Sequence, residues 1–361
     1  VYKRQIQNTP EPCYDIHCDL PGETRKIYTA PKQPVYDIKC DTHRFTKNDC
    51  IVSGEVLPLE ISRGCVFRCK FCHHLLLGRK KLDYLRSFDC IREEIIYNYN
   101  MFQTREYYVI CDTFNDTLEK MHGWHKMVKS LPFAIRYTCY LRADLIERYP
   151  EQADILRETG LFSTFHGIES FGETAAYMVG KAWSGKRARE FLPHLYHDLW
   201  QDKIHQVTGF IIGLPGDTRE SILDTINWHQ TNHMYRVIME PLNLSNNKNL
   251  LGNFSEFEKN FEKYGYRFDE HAPDNWKLAY WDRASVDHWY QTEIAPRLWH
   301  TNSWFTSWQL MSLYSSGIYD KFPMLAEKSW QITQDWEQIK VEINQSWEKF
   351  LIKYTALLDT I

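Results

Sequence analysis

The stretch Ile61–His74, ISRGCVFRCKFCHH, constrains this chain more than any other. It places Cys65, Cys69 and Cys72 in a C-x3-C-x2-C run directly after Val56–Ile61, which has strand character. Three thiolates on one short loop can hold three irons of a [4Fe–4S] cube, and cysteine thiolate is the expected ligand for such a cluster. A saturated cube needs four ligands, so one iron would stay open. An open position is what separates a catalytic metal site from a structural one. Arg63, Arg68 and Lys70 flank the thiols and would be expected to lower their pKa values. A zinc site using His73 or His74 as a fourth ligand is the competing reading. Zinc modules usually carry a second close ligand pair, whereas the next cysteine here, Cys90, stands alone.

The chain has 361 residues, enough for one large α/β domain with an appendage. Its net charge of −4 supplies no basic field for nucleic acid. No apolar run is long enough for a membrane helix and no secretory segment is recognisable, so no membrane partner is expected. All ten cysteines lie at or before Cys139. That asymmetry argues against a disulfide framework and for a reducing, cytoplasmic setting. It also excludes a second thiolate-held cluster after residue 139.

From Val56 the sequence alternates strand and helix patterns. Strands are expected near 56–62, 106–111, 133–139, 161–168, 204–212 and 235–240, with helices near 89–100, 151–158 and 186–201 between them. Asp116 with Glu119, and Asp217 with Glu220, read as capping boxes opening two further helices. Six β-α repeats with short connections imply a parallel sheet with right-handed crossovers, too few to close an eight-stranded barrel. Groups able to do chemistry fall at the predicted strand C-termini: the cysteine loop, Asp112, Arg142, Glu169 with Ser170, and Gly213. Barrel active sites are built at that end.

The cysteine spacing, Phe71 just before the third cysteine, and the strand ending in Arg63-Gly64 resemble the radical S-adenosylmethionine (SAM) superfamily. That resemblance covers 56–240 and implies an open (β/α)6 partial TIM barrel. It implies a [4Fe–4S] cluster and SAM as cofactors, with an electron from the cluster breaking a SAM carbon–sulfur bond to release a 5′-deoxyadenosyl radical. It also implies a reductant such as flavodoxin or ferredoxin. By the same resemblance the Phe71 backbone meets adenine and Glu169 meets the ribose hydroxyls or the methionine ammonium. Gly209–Gly216 resembles the family's adenine segment. The family often has Gly-Gly-Glu after the second strand; here Cys111-Asp112-Thr113 stands in its place, leaving Asp112 as the substitute. The lead-in Gly54–Gly64, the Asp112–Asn115 loop and His166-Gly-Ile-Glu-Ser170 look most like the cobalamin-associated branch, many of whose members are methyltransferases. Cobalamin-free oxidation, hydrogen abstraction or methylthiolation, and a non-catalytic iron–sulfur or zinc module, are the alternatives. The substrate, small molecule or peptide, is not legible.

Residues 1–55 are punctuated by Pro10, Pro12, Pro21, Pro31 and Pro34 and read as a linker or wrapping segment. Val1–Gln5 matches the translation of a common sequencing adapter, so an N-terminally truncated chain is expected, a processed natural terminus being the alternative. A cobalamin domain of on the order of 100 residues would not fit ahead of the first strand. Residues 241–361 read as a mainly helical C-terminal domain. Trp281–Tyr290 and Ser329–Ile352 are expected as helices there. Trp281, Trp289, Trp299, Trp304 and Trp308 are expected as its core, or as a cover for the open barrel side.

Overall fold

The structure is a computed structural model. It describes residues 14–17, 24–27, 38–39, 43–74, 84–181, 183–246, 255–269, 271–299, 307–315 and 336–358. The chain divides into two compact units, Val1–Ile38 and Lys39–Ile361. In the first, β1 (Tyr14–His17) pairs antiparallel with β2 (Thr24–Ile27), a hairpin that the proline-rich sequence did not suggest.

The second unit contains a six-stranded sheet of β3 (Leu57–Glu60), β4 (Glu106–Ile110), β5 (Arg136–Leu141), β6 (Leu161–Glu169), β7 (His205–Ile212) and β8 (Val237–Pro241). The strands lie in chain order and every neighbouring pair is parallel. The first and last strands are not joined, so this is the open six-stranded α/β arrangement that the sequence implies. Strand boundaries agree with expectation to within a few residues. Residues 143–148 and 173–178 form short helices that the apolar pattern did not suggest.

Alternation along the strands separates two faces. Tyr107, Val109, Tyr137 and Cys139 are almost completely buried. Tyr107 donates to the Ile95 carbonyl of helix Phe88–Phe102, and Tyr137 packs edge-on to Trp124 of helix Leu118–Lys129. This face is covered by the helices. The opposite, inner face carries Tyr108, Ile110, Tyr140 and Phe165, and remains open enough to leave Ile110 44% and Tyr140 37% exposed.

Both expected capping boxes are displaced by one residue. Thr117, not Asp116, accepts the Lys120 N–H, and Thr218 pairs reciprocally with Ser221. A hydroxyl in each case reaches the third helical amide, which frees Asp116 and Asp217 for other partners. Gly160, at φ +90°, ends the helix Glu151–Glu158 as predicted. A Cβ there would sit 2.1 Å from the Ile135 carbonyl oxygen.

Beyond the sheet, a hairpin of β9 (Arg267–Asp269) and β10 (Ala272–Lys277) interrupts the expected helical region. Helices follow at Arg283–Trp289, Ser307–Ser315 and Trp336–Leu358. Residues 329–335 of the expected last helix, and Trp304, lie outside the described residues. Of the tryptophans expected as core, Trp289 is buried and packs beside Trp281, with ring centres 5.9 Å apart. Helix Ser307–Ser315 packs across β4 to β7. Its Tyr314 lies against Phe162 near the start of β6 and under the Arg136 guanidinium at the start of β5. This helix therefore floors the sheet at the N-terminal ends of the strands. No helix among the described residues is long and apolar enough to cross a membrane.

Candidate functional site

The cysteine loop leaves β3 at the C-terminal end of the sheet. Its middle is clamped from two sides: the Lys70 amide donates to the Val179 carbonyl, and the Lys70 carbonyl accepts from the Phe257 amide, both at 2.9 Å. Lys70 itself donates to the Tyr264 hydroxyl at 3.2 Å, and His73 Nε2 meets Glu258 at 2.5 Å. The segment after the sheet thus buttresses the loop, which motif spacing does not reveal. Burial alone would raise the Glu258 pKa, but its bonds with His73 and Ser255 hold it below the ordinary carboxylate value.

Cys65, Cys69 and Cys72 are free thiols and each is partly exposed. Cys65 Sγ lies 3.2 Å from Thr113 Oγ1 and accepts the Phe67 amide at 3.5 Å. Cys72 Sγ accepts the His74 amide at 3.4 Å. Arg142 Nη1 points to Cys69 Sγ at 3.9 Å while its guanidinium stacks over Phe67 at 4.0 Å. Asp144 fixes that guanidinium with two hydrogen bonds, at 3.0 and 2.7 Å.

The expectation that Arg63, Arg68 and Lys70 depress the thiol pKa values needs correction. Arg63 forms a bidentate pair with Glu60, and Lys70 turns to Tyr264. Burial pushes the Cys65 and Cys72 thiols up instead, and the neighbouring thiols and Asp112 add to the rise. Without a metal these sulfurs hold their protons; a coordinated cation is what deprotonates a thiol outright. Among the described residues no three His, Cys, Asp or Glu converge on a single metal ion. His73 faces Glu258, and His74 lies 3.3 Å from Asp112.

At the end of β6 the register with β7 shifts between Gly167 and Glu169. Glu169 takes φ +73°, a left-handed conformation for a non-glycine residue. Such a bulge re-aims a side chain. A Cβ on Gly167 would lie 2.5 Å from Glu169 Oε1, so the carboxylate folds over the inner face at Gly167. Lys181 Nζ binds it at 2.6 Å and also donates to the Gly167 carbonyl. The pair is nearly buried, with side chains 10% and 11% exposed. Lys181 was not anticipated; Gly167 beside an acidic strand end was the available signal.

Ser170 does not face the same way. Its hydroxyl donates to Asp217 Oδ1 at 2.9 Å and accepts from the Gly172 amide. Asp217 is fully buried and also accepts the Leu214 amide; burial pushes its pKa up to about 7. Gly213, at φ +101°, is closely approached by protein: a Cβ there would meet the Trp276 ring at 2.4 Å. Gly209 is likewise covered by Phe165. These glycines admit aromatic rings on the side where a Cβ would point, and the Gly213 carbonyl accepts the Tyr266 hydroxyl at 3.0 Å. Phe71 is partly buried against the core and Asp112 is exposed beside the loop. The structure therefore brings Cys65, Cys69, Cys72, Asp112 and Arg142 together. Glu169 lies on the inner sheet face, and Ser170 and Gly213 belong to the packing behind it.

Residues 59–229 match the model of the Radical SAM superfamily, and this stretch of the chain is a radical SAM domain. An uncharacterised methyltransferase of Pyrococcus horikoshii is 25% identical over 183 residues, covering 50% of this chain and 38% of that protein. The cobalamin- and [4Fe–4S]-bound radical SAM methyltransferase TsrM of Kitasatospora setae superposes with a TM-score of 0.47 at 15% identity, over 60% of this chain and 41% of that one. The cobalamin-dependent radical SAM enzyme OxsB, with aqua-cobalamin bound, gives 0.49 at 12% identity, over 84% of this chain and 55% of that one. The chain thus spans roughly two-fifths to just over half the length of these relatives.

Proposed function

We propose that Cys65, Cys69 and Cys72 hold a [4Fe–4S] cluster, that SAM binds beside it at the C-terminal end of the sheet, and that the pair starts radical chemistry. The observation that carries this is the position of the three thiols: one loop, at the strand ends, within the segment matched by the superfamily. The donor set fits the group. Backbone amides of Phe67 and His74, the Thr113 hydroxyl and the Arg142 guanidinium all address the sulfurs. Such bonds orient and tune thiolate ligands.

When bound, the cluster would supply an electron and SAM a cleavable carbon–sulfur bond. Arg142, locked by Asp144 and stacked on Phe67, offsets charge at Cys69. Glu169 offers its carboxylate to the ribose hydroxyls or the ammonium of SAM through charge-assisted hydrogen bonds. Its left-handed backbone is strain of the kind that gathers at working sites. Asp112 stands beside the loop for the SAM amino group, and the Phe71 backbone borders the adenine. Ser170 supports Asp217 rather than the cofactor. A flavodoxin or ferredoxin provides the electron.

Anaerobic reconstitution with iron and sulfide tests the reading. A brown protein that converts SAM to 5′-deoxyadenosine or S-adenosylhomocysteine is expected. Ala at Cys65, Cys69 or Cys72 should abolish both colour and turnover, and Cys90→Ala should leave the iron content unchanged. A colourless zinc protein, or loss of iron in Cys90→Ala, would count against it.

Methyl transfer is the reaction favoured after SAM binding, because the Pyrococcus relative carries the name of a methyltransferase. The likeness of Gly54–Gly64 to the cobalamin-associated branch makes cobalamin the methyl carrier in this reading. Product analysis discriminates: S-adenosylhomocysteine supports transfer, whereas 5′-deoxyadenosine and methionine alone favour hydrogen abstraction.

A further inference from the structure

Beneath the cysteine loop lies a buried polar cluster with no part in the chemistry so far. Lys120, in the first turn of helix Leu118–Lys129, has a side chain with no exposed surface. Its ammonium donates to Cys111 Sγ at 3.1 Å and to the Thr113 carbonyl at 3.0 Å, and pairs with Asp116 at 3.3 Å. Asp116 in turn accepts the Tyr84 hydroxyl, and Cys111 Sγ lies 2.8 Å from Ser62 Oγ. Burying an ammonium is expensive unless it is paired, and an apolar side chain would pack such a position at least as well. The lysine instead ties the loop after β4 to a helix, and Cys111 extends the cluster to Ser62 just past β3. One of its three bonds fixes the carbonyl of Thr113, and the hydroxyl of Thr113 is the group 3.2 Å from Cys65 Sγ. Thr113 is itself only 6% exposed.

We infer that Lys120 is a positioning residue: it holds the Thr113 hydroxyl on the Cys65 sulfur and thereby sets the reduction potential of the cluster. The inference rests on the reading that Cys65, Cys69 and Cys72 bind that cluster. A hydrogen bond donated to a ligand sulfur draws off negative charge and favours the state carrying the extra electron.

The test is a redox titration of the reconstituted full chain, followed by electron paramagnetic resonance. Thr113→Val is expected to shift the midpoint to more negative potential, and Thr113→Ser, which keeps the hydroxyl, to restore it. Lys120→Met is expected to shift the midpoint the same way, and to add nothing on top of Thr113→Val. Because Lys120→Met strands the Asp116 carboxylate, the pair Lys120→Met with Asp116→Asn is measured beside it. Unmoved midpoints in Thr113→Val, or in either Lys120 variant, would overturn the inference while the wild-type cluster titrates normally. A wild-type chain that assembles no cluster would instead overturn the functional reading.

Discussion

Glu169 joins a proposed role in binding SAM to a left-handed backbone and a nearly buried ion pair. Its carboxylate would be read from sequence as a free ligand for SAM, so that Glu169→Gln should leave stability alone. The structure changes that expectation, because Lys181 is held by this carboxylate in a nearly dry setting. Glu169→Gln should weaken SAM binding by about 1.5–3 kcal/mol and also lower stability by about 3 kcal/mol. Adding Lys181→Met should restore the melting temperature without restoring SAM affinity, as titration calorimetry would show. Full SAM affinity in the single variant would assign Glu169 to packing alone. The three cysteines proposed to hold the cluster were legible at this scale because their spacing is local. Lys181, Thr113 and Lys120 were not, because their partners lie on other elements and a lysine in an amphipathic helix ordinarily faces water.

At the scale of elements, the strand ends were legible and their fine geometry was not. Short runs rich in aromatic and β-branched residues in Glu106–Ile110 and Arg136–Leu141 announce strands whichever face is inward. The bulge at Glu169 leaves no mark in composition, and the caps moved by one residue because a threonine next to an aspartate competes for the same amides. Gly213 was assigned to cofactor approach, whereas its hydrogen faces Trp276 of β10, which is remote in sequence. Gly213→Ala should therefore destabilise the fold by about 2–4 kcal/mol, from the positive φ together with the displaced indole. Chemical denaturation measures this directly. A stable variant with lost SAM binding would return the glycine to the site.

Across the whole molecule, buried titrating groups set the response to pH. Burial lowers His166 to about 3 and His229 to about 4, so stability is lost as pH falls through 6.5 toward those values. Asp217 acts with opposite sign. Raised from 3.8 to about 7, it keeps its proton in the folded chain where the unfolded chain has lost it, so its contribution falls as pH rises across that window. Asp217→Asn should match the wild type near pH 4 and become progressively more stable toward pH 7, with the melting temperature as the readout. A difference that does not grow with pH would show that Asp217 is already ionised in the fold.

The helix Ser307–Ser315 closes the floor of a sheet whose last strand ends at Pro241, and it buries Leu310 and Met311 completely. During synthesis the cysteine loop leaves the ribosome more than two hundred residues before this floor arrives. The nascent sheet must wait with the lower ends of four strands uncovered, an apolar opening of the kind that chaperones shield. In the proposed reading, loading of the cluster at the upper end and closure of the lower end by Ser307–Ser315 are therefore separate steps, and the docking of that helix decides when the sheet is sealed.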